Sequence, residues 1–250
     1  FALQTLSDDL ATVSYRSVGK QLAPLIVRTR GHRLEGMWHA GSPMGMILNS
    51  LKGMLILTPR NMVQAAGMYN TLLSCSDPAL IIEPLNAYRL KEKEPNNIGE
   101  FNVPLGYVEY ISKGKDITVV SYGSTLKLVE KAIVELLKHD IEIELIDLQT
   151  LIPIDINMDI VKSLEKTNKL LIIDEDFPGG ASSHIMKVVL EDHDGFKFLD
   201  SKPVTLTAME HRPPYGSDGD YFSKPSVDDI FESCYKIMHE YSPKKYPLKF

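Results

Sequence analysis

The sequence predicts an α/β protein in two parts, the second of which is a three-layer α/β/α domain with a mostly parallel sheet. Aliphatic runs alternate with helical patterns from residue 106 onward. These runs contain few polar residues, which is typical of strands that are covered on both faces. A charged, proline-interrupted linker at residues 94–105 separates this region from a shorter α/β region at residues 1–93.

Strands and helices alternate along residues 106–250, as in a parallel sheet that is wrapped on both sides. The predicted strands are the aliphatic runs 117–122, 142–148 with a continuation to 152, 169–173 and 204–208. The helix after the first run places four residues on one face: Leu126, Val129, Ile133 and Leu137. Further helices are predicted from 155 to 166, through 189, and after a capping box at Ser226 and Asp229.

The first part is also α/β but looks incomplete. Its predicted strands are residues 23–29, 54–59 and 79–84, and a helix over 61–74 begins with an Asn61/Gln64 cap. Three strands and one or two helices make a thin core. We therefore expect residues that precede Phe1 to complete this sheet.

Composition excludes several classes of partner. The net charge of -6 and the pI of 5.7 give no broad positive field, so nucleic acid is not an expected partner. The apolar runs are much shorter than the roughly 20 residues that a membrane-spanning helix needs. Cys75 and Cys234 belong to no metal or redox pattern, and we expect both thiols to be buried.

The segment from Arg28 to Gly45 is the strongest candidate for a site. It contains two histidines, three arginines, four glycines and the only tryptophan, directly after a predicted strand. Glycine-rich backbone beside ionisable groups at a strand end is how α/β proteins build sites. The alternative is a long surface loop whose charged side chains are solvated.

Motifs along nearly the whole chain resemble one enzyme family. WHAGSP, LKGMLILTPRNMVQAAGMYNTLL and DPALIIEPLNAYR, between Trp38 and Arg89, resemble the pyrimidine-binding domain of the β-type half of 2-oxo acid dehydrogenases. GKDITVVSYGST, IDLQTLIPID, EKTNKLLIIDED and PGGASSHI resemble the transketolase-like carboxyl-terminal domain of the same proteins. The resemblance implies an amino-terminally truncated β-type half, with part of the pyrimidine-binding domain at residues 1–93.

The resemblance also implies an activity. In this family, thiamine diphosphate with magnesium binds between the diphosphate-binding and pyrimidine-binding domains, and a 2-oxo acid of the pyruvate or branched-chain type is decarboxylated. The acyl group then passes to a lipoyl carrier. Two features of the family are absent from this chain. One is the glutamate that activates the aminopyrimidine ring, and the other is the motif that binds the diphosphate. We therefore expect the chain alone to bind no cofactor and to be inactive.

The resemblance assigns few residues of this chain to the site. His39 takes the position of the active-site histidine near the lipoyl entry, where imidazole can transfer a proton near neutral pH. Backbone carbonyls around Leu25, Cys75 and Asp77 match stretches that hold a monovalent cation in related domains. His32 and His184 have no role that the sequence assigns.

The expected partners are the diphosphate-binding half of the enzyme, a lipoyl acyltransferase core and a second copy of this chain. The expected location is the cytoplasm, or the mitochondrial matrix in a eukaryote. Two alternatives stay open. One is a transketolase or deoxyxylulose phosphate synthase-like transferase, and the other is an assembly module that docks the acyltransferase core.

Overall fold

The computed structural model describes residues 2–32, 43–211, 213–216 and 218–248, with the backbone alone at residues 31 and 32. The strands in this part of the chain are β1 Ile26–His32, β2 Leu55–Leu57, β3 Ala79–Pro84, β4 Glu109–Ser112, β5 Ile117–Ser121, β6 Ile143–Asp147, β7 Thr150–Ile152, β8 Leu170–Ile173 and β9 Val204–Leu206. The α-helices are α1 Ala2–Gln4, α2 Val13–Arg16, α3 Met44–Ser50, α4 Met62–Leu73, α5 Leu126–Leu137, α6 Asp159–Thr167, α7 Ala181–Lys187, α8 Gly219–Ser223 and α9 Val227–Tyr241. None of the helices described is long and apolar enough to span a bilayer.

The strands form two mostly parallel sheets, which confirms the predicted α/β class. The first sheet has the order β1-β3-β2-β7, and only β7 runs antiparallel to its neighbour. The second has the order β4-β6-β5-β8-β9, and only β4 is antiparallel. Helices cover both faces of the second sheet, so this part of the chain has three layers.

Three clusters of buried apolar residues hold the layers together. The largest lies between the two sheets and joins α3, the inner face of the first sheet, one face of the second sheet, α6 and α7. The second packs α5 and α9 on the other face of the second sheet. The third lies under α4 on the outer face of the first sheet.

The predicted continuation of the second strand to residue 152 is wrong. β6 ends at Asp147, and the chain turns at Gln149, whose φ of 59° lies in the left-handed region. β7 then leaves the second sheet and pairs with β2 of the first. The carboxyl-terminal region therefore contributes a strand to the first sheet.

Several observed helices differ in detail from the predicted ones. On α5 the inner position belongs to Leu136, whereas Leu137 is 52% exposed, because the buried face turns toward α9. The helix predicted from 155 begins at Asp159, and the carboxylate of Asp155 caps it by accepting hydrogen bonds from the N–H groups of residues 159 and 160. The caps at Asn61 and Ser226 form as predicted. Helix α3 and strand β4 were not predicted.

The two cysteines lie in different environments. Cys234 is buried, and burial raises the pKa of its thiol to about 12. Cys75 is only partly buried, so the prediction that both thiols are buried is wrong for this one. Cys75 lies just after α4, where the chain returns to the surface.

The segment predicted as a linker lies along α4. Phe101 and Leu105 pack against the third cluster, and Val103 belongs to it. The N–H of Val103 donates to the carbonyl of Gly67, and the side-chain amide of Asn70 donates to the carbonyl of Phe101. We call residues 97–105 the α4 strap. The domain boundaries at residues 93 and 106 stay a prediction.

Gly67→Ala is expected to loosen the α4 strap. A Cβ atom at this position would lie 2.4 Å from Cε2 of Phe101 and 2.8 Å from Cγ2 of Val103. Overpacking of this kind costs about 1–3 kcal/mol, which exceeds or cancels the gain of about 1 kcal/mol in helix propensity. Chemical denaturation should therefore show no stabilisation, and the amide of Val103 should exchange faster.

The matched control is Gly99→Ala, because a Cβ atom there would meet nothing within 4 Å. This variant should match the parent within about 0.5 kcal/mol. A gain in stability from Gly67→Ala larger than that from Gly99→Ala would show that the strap does not press on α4.

Candidate functional site

The carboxyl ends of β1, β2 and β3 meet at one edge of the first sheet. Ligands of parallel α/β sheets bind at this edge. β1 leads from here into residues 33–42, which lie outside the described residues and include His39. The predicted role of His39 therefore stays a prediction.

A buried carboxylate lies at this edge. Glu83, near the end of β3, is 2% exposed. Its Oε2 accepts hydrogen bonds from Nε and Nη2 of Arg28 on β1, at 3.1 and 2.9 Å. Its Oε1 accepts a hydrogen bond of 2.6 Å from the hydroxyl of Tyr69 on α4, and the hydroxyl of Tyr88 donates to Oε2. We call these four residues the Glu83 cluster.

The contacts in the Glu83 cluster fix its charges. Burial raises the pKa of Glu83, but the hydrogen bonds from Arg28, Tyr69 and Tyr88 together lower it more, so the pKa lies below its usual value. Burial and Glu83 raise the pKa of Tyr69. At neutral pH the carboxylate is charged and the phenols are neutral. Because donors already occupy its oxygens, Glu83 is suited to hold β1, β3 and α4 together and not to accept a substrate proton.

An open cleft of about 470 Å³ lies beside this cluster. It is lined by Arg28, Thr29, Arg30, Glu83 and Tyr88. Arg28 and Arg30 are two residues apart on β1 and therefore share one face of the strand. Glu83 balances the charge of Arg28, and Arg30 adds a positive charge to the cleft.

A second polar network joins this edge to the second sheet. Arg60, just after β2, donates through Nη1 to Oδ2 of Asp147 at 2.6 Å and to Oε2 of Glu109 at 2.7 Å. Gln64 on α4 donates to the same Asp147 oxygen and to Oε1 of Gln149, both at 2.9 Å. We call these five residues the Arg60 network.

Asp147 is the most enclosed member of the Arg60 network, with no exposed surface. Burial raises its pKa, and Arg60 and Gln64 only partly offset that rise. Removing the guanidinium would therefore leave a buried carboxylate without a counter-charge.

A third contact fixes the start of α3. Oδ2 of Asp176, after β8, accepts a hydrogen bond of 3.0 Å from the N–H of Gly45. A Cβ atom at Gly45 would lie 3.3 Å from Cα of Gly180, so α3 crosses the turn before α7 at close range. Burial raises the pKa of Asp176 to about 6.

The residues predicted for a monovalent cation lie at the opposite edge of the first sheet. Leu25 precedes β1, and Cys75 and Asp77 precede β3. The pairing of these strands brings Leu25 and Asp77 to the same edge, but the Leu25 carbonyl accepts a hydrogen bond of 2.9 Å from the N–H of Ala79. The cation site stays a prediction.

His184 has a structural contact. Its Nε2 lies 3.0 Å from the carbonyl oxygen of Leu151 on β7, and burial lowers the pKa of its imidazole. The ring therefore ties α7 to the strand that crosses into the first sheet. The side chain of His32 is not described.

The described residues contain no group of three or more His, Cys, Asp or Glu side chains arranged to hold a metal ion. The buried carboxylate at the candidate edge is fully bonded within the Glu83 cluster. The Glu83 carboxylate therefore does not fit the role of a metal ligand for thiamine diphosphate.

Comparison with known proteins supports the resemblance. Residues 106–228 match the model of the transketolase carboxyl-terminal domain. The β subunit of the pyruvate dehydrogenase E1 component from Acholeplasma laidlawii is 28% identical, over 88% of this chain and 66% of its own length. The mitochondrial 2-oxoisovalerate dehydrogenase β subunit from Chaetomium thermophilum is also 28% identical, over 95% of this chain and 50% of its own length.

The chain is similar in sequence to the β subunits of 2-oxo acid dehydrogenases. The acetoin:2,6-dichlorophenolindophenol oxidoreductase β subunit from Bacillus subtilis is similar too, with 28% identity over 92% of this chain and 66% of that protein. The chain spans about half to two thirds of the length of these three proteins.

The fold of the chain also occurs in solved structures. A split-gene transketolase, described as an inactive β4 tetramer, superimposes with a TM-score of 0.68 over 95% of this chain and 74% of that one. At 16% sequence identity this similarity shows a shared transketolase-like fold.

Proposed function

We propose that this chain is part of the β-type half of a thiamine diphosphate-dependent component that decarboxylates a 2-oxo acid and passes the acyl group to a lipoyl carrier. The observation that carries the proposal is the extent of the similarity. The matches to β subunits of pyruvate and 2-oxoisovalerate dehydrogenases cover 88% and 95% of the chain and so run through both sheets.

This chain would contribute to the active site at the edge of the first sheet where the carboxyl ends of β1, β2 and β3 meet. When bound, thiamine diphosphate supplies the stabilisation of negative charge that decarboxylation needs. The Glu83 cluster holds β1 immediately before the segment that contains His39. His39 would donate a proton during acyl transfer to the lipoyl dithiolane.

We propose that other parts of the enzyme supply the diphosphate cradle, the magnesium ligands and the activating glutamate. The oxygens of Glu83, the buried carboxylate at this edge, already accept hydrogen bonds from three side chains, and this supports the division. The partner in this proposal is the diphosphate-binding half, either as a separate α-type subunit or fused to this chain.

A lipoyl acyltransferase core and a second copy of this chain complete the proposed assembly. Exposed apolar side chains near α8 support a protein contact in this region: Met209, Tyr215, Tyr221 and Phe222 are 54%, 79%, 59% and 63% exposed. Aromatic residues and methionine are enriched at such contacts. The cytoplasm or mitochondrial matrix is the proposed location.

Calorimetry with thiamine diphosphate and magnesium tests the division of the site. The isolated chain is expected to show no submicromolar binding, whereas the chain together with the diphosphate-binding half, added as a subunit or fused, should bind the cofactor tightly. Thiamine without its diphosphate is the control, since it lacks the group that the other half would hold. Submicromolar binding to the isolated chain would place the diphosphate site here and contradict the proposal.

A further inference from the structure

Helix α4 connects the two polar networks at the candidate edge. Its first turn carries Gln64, a member of the Arg60 network, and its second turn carries Tyr69, a member of the Glu83 cluster. These two positions are five residues apart, which is about 7.5 Å along the helix axis. A helix is rigid over this length, so a displacement of its first turn also moves Tyr69.

The carboxyl-terminal region fixes the first turn of α4. Gln64 is 5% exposed, and its side-chain amide donates to Asp147 at the end of β6 and to Gln149 in the following turn. Its side-chain oxygen accepts a hydrogen bond of 2.7 Å from the N–H of Arg60. Asp147 therefore holds this turn through two side chains, since Arg60 and Gln64 both donate to its Oδ2.

The other end of this connection is the candidate site. The hydroxyl of Tyr69 donates to Oε1 of Glu83, and Glu83 binds Arg28 on β1. β1 is the strand that enters the segment with His39. A continuous set of contacts thus runs from Asp147 in the second sheet to the edge of the first.

We propose that Asp147 is a positioning residue for the candidate site and acts through Gln64, Arg60 and α4 to keep the hydroxyl of Tyr69 on Glu83. The description of this edge as a site rests on the proposed function. The coupling between Asp147 and Tyr69 does not, because it is defined by contacts within the chain. Coupling is shown by a response at the second site, so the test measures Tyr69 directly.

The test is Asp147→Asn in protein labelled with ¹³C at the tyrosine Cζ, with Tyr69→Phe to assign the signal. In the parent the Tyr69 signal should not titrate between about pH 7 and pH 11, because burial and Glu83 raise its pKa above the ordinary value of about 10. In Asp147→Asn the hydroxyl should leave Glu83, and the titration should shift downward toward the ordinary tyrosine value.

The matched control is Asp155→Asn. Asp155 is an equally buried carboxylate of the same region, but its hydrogen bonds go to the N–H groups of Asp159 and Ile160 at the start of α6. Both variants should unfold at lower denaturant concentration than the parent. Only Asp147→Asn should change the Tyr69 signal.

An unchanged Tyr69 signal in folded Asp147→Asn would overturn the proposal and leave Asp147 with a purely structural role. If Asp147→Asn does not fold, Gln64→Met replaces it, since methionine is of similar length and the Asp147–Arg60 pair is kept. The same shift is expected there, and its absence would overturn the proposal equally. A protein without 2-oxo acid activity that still showed the shift would contradict the proposed function and not this coupling.

Discussion

His39→Ala in the complete enzyme is expected to lower lipoamide-dependent turnover by a factor of about 10² to 10⁴. The reason is that general acid–base groups contribute rate increases of this size, and His39 would donate the proton in acyl transfer to the dithiolane. Decarboxylation precedes this step. The same reaction followed with an artificial electron acceptor should therefore fall much less.

His39→Asn is the control for this prediction. Asparagine keeps a polar side chain of related shape next to Trp38, so it separates lost proton transfer from lost packing. Both variants should retain the melting temperature of the parent. An equal loss in both half-reactions, together with a lower melting temperature, would make His39 a structural residue.

Arg60→Met is expected to reduce the free energy of unfolding by about 3–5 kcal/mol, because it leaves the carboxylate of Asp147 buried without its counter-charge. Asp147 has no exposed surface, whereas Glu109 is partly exposed and can be solvated. Denaturant unfolding at neutral pH is the measurement.

Without Arg60 the pKa of Asp147 in the folded state should rise further above that of the unfolded chain. The stability of Arg60→Met should therefore fall as the pH rises, and its deficit relative to the parent should be smaller in acid.

Two further variants serve as controls for the Arg60→Met prediction. Arg16→Met removes a surface pair with Asp9, whose side chains are 67% and 73% exposed, and should cost about 0–1 kcal/mol. Adding Asp147→Asn to Arg60→Met removes the unpaired charge and should restore part of the lost stability. A deficit no larger than that of Arg16→Met would show that the Arg60 network does not hold the two sheets together.

The sequence predicts the second region well because its local signals agree with each other. Aliphatic runs, a helical period and a capping box at Ser226 each indicate the element that the structure contains. The sequence-based prediction failed at Gln149, since glutamine is not a residue that normally marks a left-handed turn. The run from Leu148 to Ile152 therefore resembles a continuing strand, although it pairs with a different sheet.

The candidate site was only partly predictable. The strand runs LIIEP and ELID place Glu83 and Asp147 among aliphatic residues, and a buried charge requires a partner. The partners were not predictable, because Arg28 lies 55 residues from Glu83 and Arg60 lies 87 residues from Asp147. Only the pairing of β1 with β3 and the approach of the two sheets bring them together. The role of His39 rests on the family resemblance.

A steady-state comparison of substrates tests the proposed function most directly, with this chain and the diphosphate-binding half assembled in the presence of thiamine diphosphate and magnesium. Pyruvate and branched-chain 2-oxo acids are tested with a lipoyl acceptor, and ketose phosphates are tested with an aldose phosphate acceptor. The proposed function predicts acyl transfer from at least one 2-oxo acid and no turnover of the ketose phosphates. Turnover of a ketose phosphate without any activity on 2-oxo acids would contradict it and would identify a transketolase-type transferase.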